Sequence, residues 1–333
     1  MNIVEKISEK RILVAPLNWG LGHATRCVPI INALLAAEKE LIIAADGYPL
    51  QFLKKEFSTL QTIEFKGINI KYSSSNSQIL AMLFQVPKII FAIFKEHFEL
   101  KKIIQKYDIQ AVISDNRFGL WNKKIKTIYI THQISVKISK RFEFLNKIAY
   151  LLHCQIIKKH SQCWIPDFED ENNLSGDLSH KYPLPKNAVF IGVLSRFFTN
   201  FAYKKNNEIN YKNVAIISGV EPHRTILQEK LLKLFLNENE KSLIIEGKPA
   251  QKINIQNFND VTIVSHLEDE ELAQTLKNAE KIYCRSGYST LMDLYALGIK
   301  SAILVSTPGQ TEQEYLTEHF LKKGFKVLSQ KDI

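Results

Sequence analysis

The stretch "RILVAPLNWGLGHATRC", residues 11–27, decides how this chain is organised. Its opening, "RILVAPL", is an almost unbroken apolar run, as expected of a strand covered on both faces of a parallel sheet. Gly20 and Gly22 follow, and then "RCVPIINALLAAEKE", whose apolar residues recur at helical spacing. A loop stripped of Cβ atoms can turn sharply and let a ligand approach the backbone. The helix start beyond it presents free N–H groups and the positive end of a dipole to an anion. His23 stands at that start, where an imidazole can act as a base or hold a phosphate. A tight strand–helix turn with a surface histidine accounts for the same residues more plainly.

The same alternation runs along the whole chain. "ELIIAAD" (40–46), "AVISD" (111–115) and "TIYITHQ" (127–133) are the next expected strands. "NVAIISG" (213–219), "KSLIIEG" (241–247), "VTIVSHL" (261–267), "KIYCRSG" (281–287) and "SAILVS" (301–306) repeat the pattern in the second half. Helical stretches such as "RTILQEKLLKLFLNENE" and "DEELAQTLKNAE" separate them. Strands alternating with helices predict α/β units on parallel sheets. The polar, Asn- and Lys-rich segment 199–213 lacks periodicity and marks the break. The expectation is two Rossmann-like domains, residues 1–203 and 204–333, facing a central cleft. Ligands of open α/β sheets sit outside the carboxyl ends of strands, so each strand-end motif is a candidate site.

Composition narrows the classes. In 333 residues, 45% hydrophobic and 23% charged side chains are the proportions of a globular protein. No run of about 18 apolar residues predicts a spanning helix. The charged start "MNIVEKISEKR" has no apolar core with a cleavage site, so no secretory leader is expected. Four cysteines, none in a CxxC pair, predict reduced thiols in a cytoplasmic protein rather than zinc or disulfides. The formal charge of +10 favours anionic partners. Nucleic acid is not expected, since the lysines are spread and no RNP-like or zinc-finger spacing occurs.

A dinucleotide site is suggested by Asp46 at the end of the second strand, but Thr25 stands where GxGxxG needs its third glycine. The second half carries more. In "CRSGYSTLMDLYALGIKSAILVSTPGQTEQEY" (284–315) a strand ends at Arg285, and Ser286 and Gly287 open a helix carrying Ser289, Thr290 and Asp293. Glycine and small hydroxyls at a helix start suit a diphosphate. Asp293, about one turn on, can accept the two hydroxyls of a ribose. The next strand ends in "STPGQTEQEY", with Gln313 and Glu314, and "ISGVEPHR" adds Ser218, Gly219 and Arg224. Each also has a structural reading, as turn glycine, N-cap serine or solvated carboxylate.

Residues 284–315 and the "GLGHATR" loop together resemble the GT-B glycosyltransferases of family 28, the group of the MurG-type N-acetylglucosaminyl transferases. The loop is closer to a branch with a GxGHxxR pattern. The resemblance implies a nucleotide sugar, UDP-linked, bound as a substrate by the second domain, and an acceptor bound by the first. Asp293 then matches the ribose-holding acid, and Ser286, Gly287, Ser289 and Thr290 the diphosphate turn. Leu267 falls where backbone groups meet the base, Gln313 and Glu314 face the donor sugar, and Gly20, Gly22 and His23 face the cleft. Inverting chemistry without a cofactor is implied, and no DxD-type metal motif is found; "DED" at 269–271 begins a helix. The family's "GGS" turn is here "SGVEPHR", Asp293 stands for a more usual Glu, and the closing helix is expected to be abbreviated. Asp115, in "ISDNRFG", and His132, in "THQ", are alternatives to His23 as base, or its supports. A UDP-sugar 2-epimerase and a catalytically silent nucleotide-sugar-binding partner subunit are the rival functions. The acceptor is not given. Residues 77–106 and 141–160 are amphipathic with lysines, and either pack on their own sheet or lie on an anionic membrane at its inner face.

Overall fold

A computed structural model describes residues 2–67, 78–138, 143–198, 211–219, 221–248 and 253–333. The chain divides into two compact units, 1–194 and 195–333. The expected boundary at 203/204 lies outside the described residues.

In the N-terminal unit a short helix α1 (Asn2–Glu5) precedes β1 (Arg11–Pro16), and then come α2 (Gly22–Ala36), β2 (Glu40–Ala45), α3 (Gly47–Glu56), β3 (Gln61–Glu64) and α4 (Gln78–Tyr107). β4 (Ala111–Asp115), β5 (Lys126–Ile130), α5 (Phe144–Ile157), β6 (Gln162–Ile165), α6 (Asp177–His180) and β7 (Ala188–Phe190) complete it. The strands form one parallel sheet in the order β3-β2-β1-β4-β5-β6-β7. β1 is buried from Ile12 to Pro16, which is why its sequence shows no alternation. Register puts Leu13 beside Val112, and Ala15, Ser114, Tyr129 and Cys163 in one row. That face meets Leu100 of α4 in one cluster and Ile157 of α5 in another, so both helices cover the same side of the sheet.

The C-terminal unit begins with a 3-10 turn, Arg196–Phe198. It continues through β8 (Asn213–Ile216), α7 (His223–Glu238), β9 (Ser242–Ile245), β10 (Ile255–Phe258), β11 (Val261–Val264) and α8 (Asp269–Asn278). β12 (Lys281–Cys284), α9 (Tyr288–Ala296), β13 (Ile303–Leu304), α10 (Thr311–Leu321) and β14 (Lys326–Val327) follow. Its order is β10-β11-β9-β8-β12-β13-β14, parallel except for the β10–β11 pair. Its core joins Ala215 and Ile244 of the sheet to Leu227, Leu231 and Phe235 of α7.

Strand order reverses beside β1 in one sheet and beside β8 in the other, and each reversal opens a crevice at the carboxyl ends of the strands. Several strands were not marked by hydrophobic runs. β3 and β10 are exposed or half-exposed edges, and β14 has two residues, too short for a pattern. The runs at 127–133, 261–267 and 281–287 overshoot, because their last residues are loops beyond the sheet edge.

Candidate functional site

The N-terminal candidate lies at the β1/β4 switch point. Gly20 adopts a φ of +81°, a conformation costly for a residue with a Cβ, and lets the chain turn into α2. The helix has no side-chain cap at its start. His23, in its first turn, places Nδ1 3.0 Å from Asp115 Oδ1 at the end of β4. Three residues on, and so on the same helix face, Arg26 donates from Nε and Nη2 to the two Asp115 oxygens. Its Nη1 lies 3.3 Å from Nδ1 of His132 in the loop after β5, and its Nη2 lies 2.7 Å from His23 Nδ1. Arg26, Asp115 and His132 are all buried. The fold thus brings His23, Asp115 and His132 together, with Arg26 at their centre.

Burial by itself would raise the Asp115 carboxyl, but the Arg26 and His23 charges outweigh it and hold it at about 2. Asp115 is therefore a permanent anion already paired with a guanidinium, poorly suited to take a proton. The His23 imidazole is pushed down, by burial first and by the Arg26 charge second, which keeps it neutral near pH 7. Its Nδ1 faces the Asp115 carboxylate and the Arg26 donor at once, and of the two tautomers the one with its proton on Nδ1, toward Asp115, is the one that would leave the Nε2 lone pair to accept a proton.

In the C-terminal unit the expected donor residues gather at the ends of β8, β12 and β13. Gly219 has a φ of +103°, and a Cβ there would lie 3.8 Å from Thr307 Oγ1. That hydroxyl is buried and unpaired among the described residues. Ser286 donates to the Gln313 carbonyl at 2.8 Å and accepts from Thr317 Oγ1 at 2.7 Å. Gln313 Oε1 accepts from the Thr307 amide at 2.9 Å, and Glu314 Oε1 from the Gly309 amide at 2.8 Å. These three side chains hold the turns in shape. Arg285 does the same on a larger scale. Its guanidinium, lowered to about 10 by burial, donates to the Val305, Ser306 and His223 carbonyls and to Gln330 Oε1.

Ser218, Gly287, Ser289 and Thr290 remain at the surface of this cluster, and the starts of α9 and α10 lack side-chain caps, while at the start of α7 Glu221 Oε2 accepts the Thr225 amide at 3.2 Å. Arg224 donates to the Glu246 carbonyl at the end of β9, while its buried Nε is unpaired among the described residues. Leu267 is half-buried in the turn before α8. Asp293 accepts the Ser195 hydroxyl at 2.6 Å. Burial raises its carboxyl to about 6 against the opposing pull of Arg196 and Ser195. Arg196 in turn pairs with Asp269 at 2.6 Å.

Sequence reasoning gave no role to Arg26, Thr307, Ser195 or Arg196. The first had a signal, its position one turn after His23; Ser195 had none, being 98 residues from Asp293. Among the described residues no group of three His, Cys, Asp or Glu side chains is placed to hold a metal ion, and all four cysteines are free and buried.

Two Rossmann-like α/β units with parallel sheets, each with its crevice at the strand ends, are the GT-B fold. The crystal structure of the glycotransferase of kitacinnamycin matches with a TM-score of 0.63 at 13% identity, over 98% of this chain and 87% of that one. Acinetobacter baumannii MurG matches with a TM-score of 0.52 at 13% identity, over 97% and 86%. In sequence the chain is similar to a Methanosarcina acetivorans protein described as an uncharacterized glycosyltransferase, 21% identical over 91% of this chain and 81% of that one. No protein-family model matches the chain. At these identities the likeness establishes the fold.

Proposed function

We propose that this protein is a glycosyltransferase that moves a hexose or N-acetylhexosamine from a nucleoside-diphosphate donor, UDP-linked, to an acceptor hydroxyl. The observation that carries the reading is the neutral His23 imidazole held on the Asp115–Arg26 pair beside a glycine loop. Such an imidazole can take the proton of a hydroxyl as its oxygen attacks the anomeric carbon. Asp115 and His132 are then positioning residues, Asp115 fixing the ring and His132 steadying Arg26.

Bond breaking leaves negative charge on the departing nucleoside diphosphate. In this reading Gly219, Gly287, Ser289, Thr290 and the uncapped starts of α9 and α10 meet that charge, with Ser218 and Arg224 beside them. Asp293 holds the ribose and Leu267 lies by the base. Gln313 and Glu314 shape the sugar side through the 307–310 turn that they brace. The inverting, metal-independent course and the family 28 kinship rest on the sequence resemblance.

The test is a binding screen of UDP, UDP-GlcNAc, UDP-Gal, GDP-mannose and NAD by calorimetry, wild type beside Asp293→Ala, followed by an assay for nucleoside diphosphate release with hydroxyl acceptors. UDP-type binding lost in the variant, with release in the assay, supports the reading. Binding of NAD, or binding indifferent to Asp293, overturns it. Donor binding without release from any acceptor favours a silent binding subunit, and recovery of a 2-epimerised donor favours the epimerase.

A further inference from the structure

Among the described strands each sheet has two at its edges, and three of the four are blunted as exposed edges ordinarily are. β3 ends on Glu64, whose carboxylate lies 3.9 Å from Lys66 Nζ. β7 has three residues and β14 two, the latter opening on Lys326. β10 has none of these devices. It pairs with β11 residue for residue from Ile255 to Phe258, without a bulge. The stretch "INIQNFN", residues 253–259, contains no charged side chain and no proline. All of it is exposed, with Ile253 at 59%, Ile255 at 58% and Phe258 at 41%.

The hairpin geometry dictates which main-chain groups this edge presents. Asn259 and Asp260 make a two-residue turn, with Asn259 at a φ of +50°, a conformation that asparagine tolerates. The Asn254 carbonyl accepts the Ser265 amide at 3.0 Å, one position before Ile255 meets Val264. Hydrogen-bonded pairs alternate along an antiparallel ladder. The N–H and C=O of Gln256 and Phe258 are therefore directed at β11, and those of Ile255 and Asn257 away from it. Outward donors and acceptors on alternate residues are what an added strand takes up.

The absence of charge selects the partner. A formal charge of +10 opposes association of two copies wherever lysines project, and residues 253–259 carry none. The strand is also complementary to itself. Laid antiparallel on its copy about a two-fold axis at Gln256, it sets Ile255 opposite Asn257 of the second copy, and Asn257 opposite that copy's Ile255. Each pair exchanges both of its N–H···O bonds, so every outward group of Ile255 and Asn257 is used. The two Ile255 side chains fall on one face, diagonal to each other, and Phe258 stands opposite the second copy's Asn254. No foreign segment is needed to complete the match.

We propose that β10 pairs with β10 of a second copy of this chain, joining two C-terminal sheets into one across a two-fold axis. Two-fold pairing consumes the edge on both copies. The sheet's other edge is the two-residue β14, so the assembly closes at a dimer. A contact this small makes the dimer weak and dependent on concentration. The pairing is independent of the sugar-transfer reading.

The test is sedimentation velocity of the full chain from about 1 μM to about 100 μM, where small interfaces associate. Expected is a shift from monomer to dimer as concentration rises. Asn257→Pro removes an outward N–H that the β10–β11 ladder does not use, and Ile255→Lys sets like charges near the axis. Each should weaken the dimer about tenfold or more, with the circular dichroism of the wild type retained. Gln256→Cys should form an intermolecular disulfide on oxidation, because the axis sets the two 256 positions opposite each other. Ile253→Cys should not, its two copies lying about 20 Å apart along the strands. The four native cysteines are buried and leave this readout clear. A chain that stays monomeric throughout overturns the proposal and leaves the edge to a strand of a different protein. A dimer that both variants retain, or one linked through position 253 and not 256, overturns it as well.

Discussion

Ser195 donates its hydroxyl to Asp293 Oδ1 at 2.6 Å, tying the first residue of the C-terminal unit to a carboxylate on α9. The bond gives this carboxylate one firm partner. Arg196, next in the chain, lies near enough to favour its charge, yet burial still dominates and lifts the carboxyl to about 6. The group expected to meet the ribose is therefore poised to change charge just below neutrality.

That poise has a cost in stability whose sign can be worked out. An unfolded aspartate loses its proton near 3.8, whereas the folded one holds it to about 6. Between these values the folded state binds more protons, so the contribution of Asp293 falls as pH rises through the window and is fully unfavourable above it. Asp293→Asn should raise unfolding free energy by about 1–2 kcal/mol at pH 8, with about half of that gain left at pH 5. Urea unfolding at the two pH values measures it; an equal gain at both would remove the titration as cause. UDP binding to the wild type should also weaken below pH 6, as the acceptor charge is lost.

His23→Ala should leave donor binding unchanged and lower turnover by about a hundredfold or more, the usual worth of a positioned base. Single-turnover release of nucleoside diphosphate, set beside calorimetric donor binding, separates the two. Loss of binding with retained turnover per bound donor would place His23 on the donor rather than on the acceptor.

Arg26→Gln removes the charge that holds the His23 imidazole down and frees Asp115 to hold it up. The His23 titration, followed by its ring proton resonances in NMR, should move to higher pH, and the acid limb of any activity profile should move with it. Leaving a buried carboxylate without its guanidinium should cost about 3 kcal/mol of stability. An unmoved His23 titration would mean that Arg26 does not set the state of the base.

His160 predicts a loss of stability in acid. Both of its ring nitrogens are buried and unpaired among the described residues, and its ring stacks on Tyr129 at 5.1 Å. Burial pushes it down to about 3, and pushes His153, bonded to the Tyr129 hydroxyl, to about 4. The unfolded chain takes up these protons below about 6.5 and the folded chain does not, so stability is full above 6.5 and declines as pH falls. His160→Phe keeps a stacked ring without the titration. Its loss of stability between pH 7 and pH 5 should be about 2 kcal/mol smaller than that of the wild type. Thermal or urea unfolding across that range checks it.

Much of this was legible in the chain. β1, β2, β4 and β8 announce themselves as apolar runs because both of their faces are covered, and the loops after them stand out by their glycines. β10, exposed along its whole length, and β14, two residues long, have no such reason to be apolar. His23, Asp115 and His132 could be singled out separately by their places at strand ends. That a single guanidinium joins them could not, since Arg26 meets partners 89 and 106 residues away.

The sequence by itself determined the alternation of strands and helices, the number of units and the edges where glycines bare the backbone. Local spacing and apolar runs carry that information, because each is a property of neighbours along the chain. The tertiary structure decided which polar groups are already satisfied. Arg285 and Ser286 sit in the most suggestive motif of the chain and yet are largely engaged in holding it together, while Thr307, which no motif singled out for a role, keeps a buried hydroxyl unpaired among the described residues, and Arg26 is held on Asp115. Hydrogen bonding and burial act between residues far apart in sequence, so only folding assigns each buried donor its acceptor.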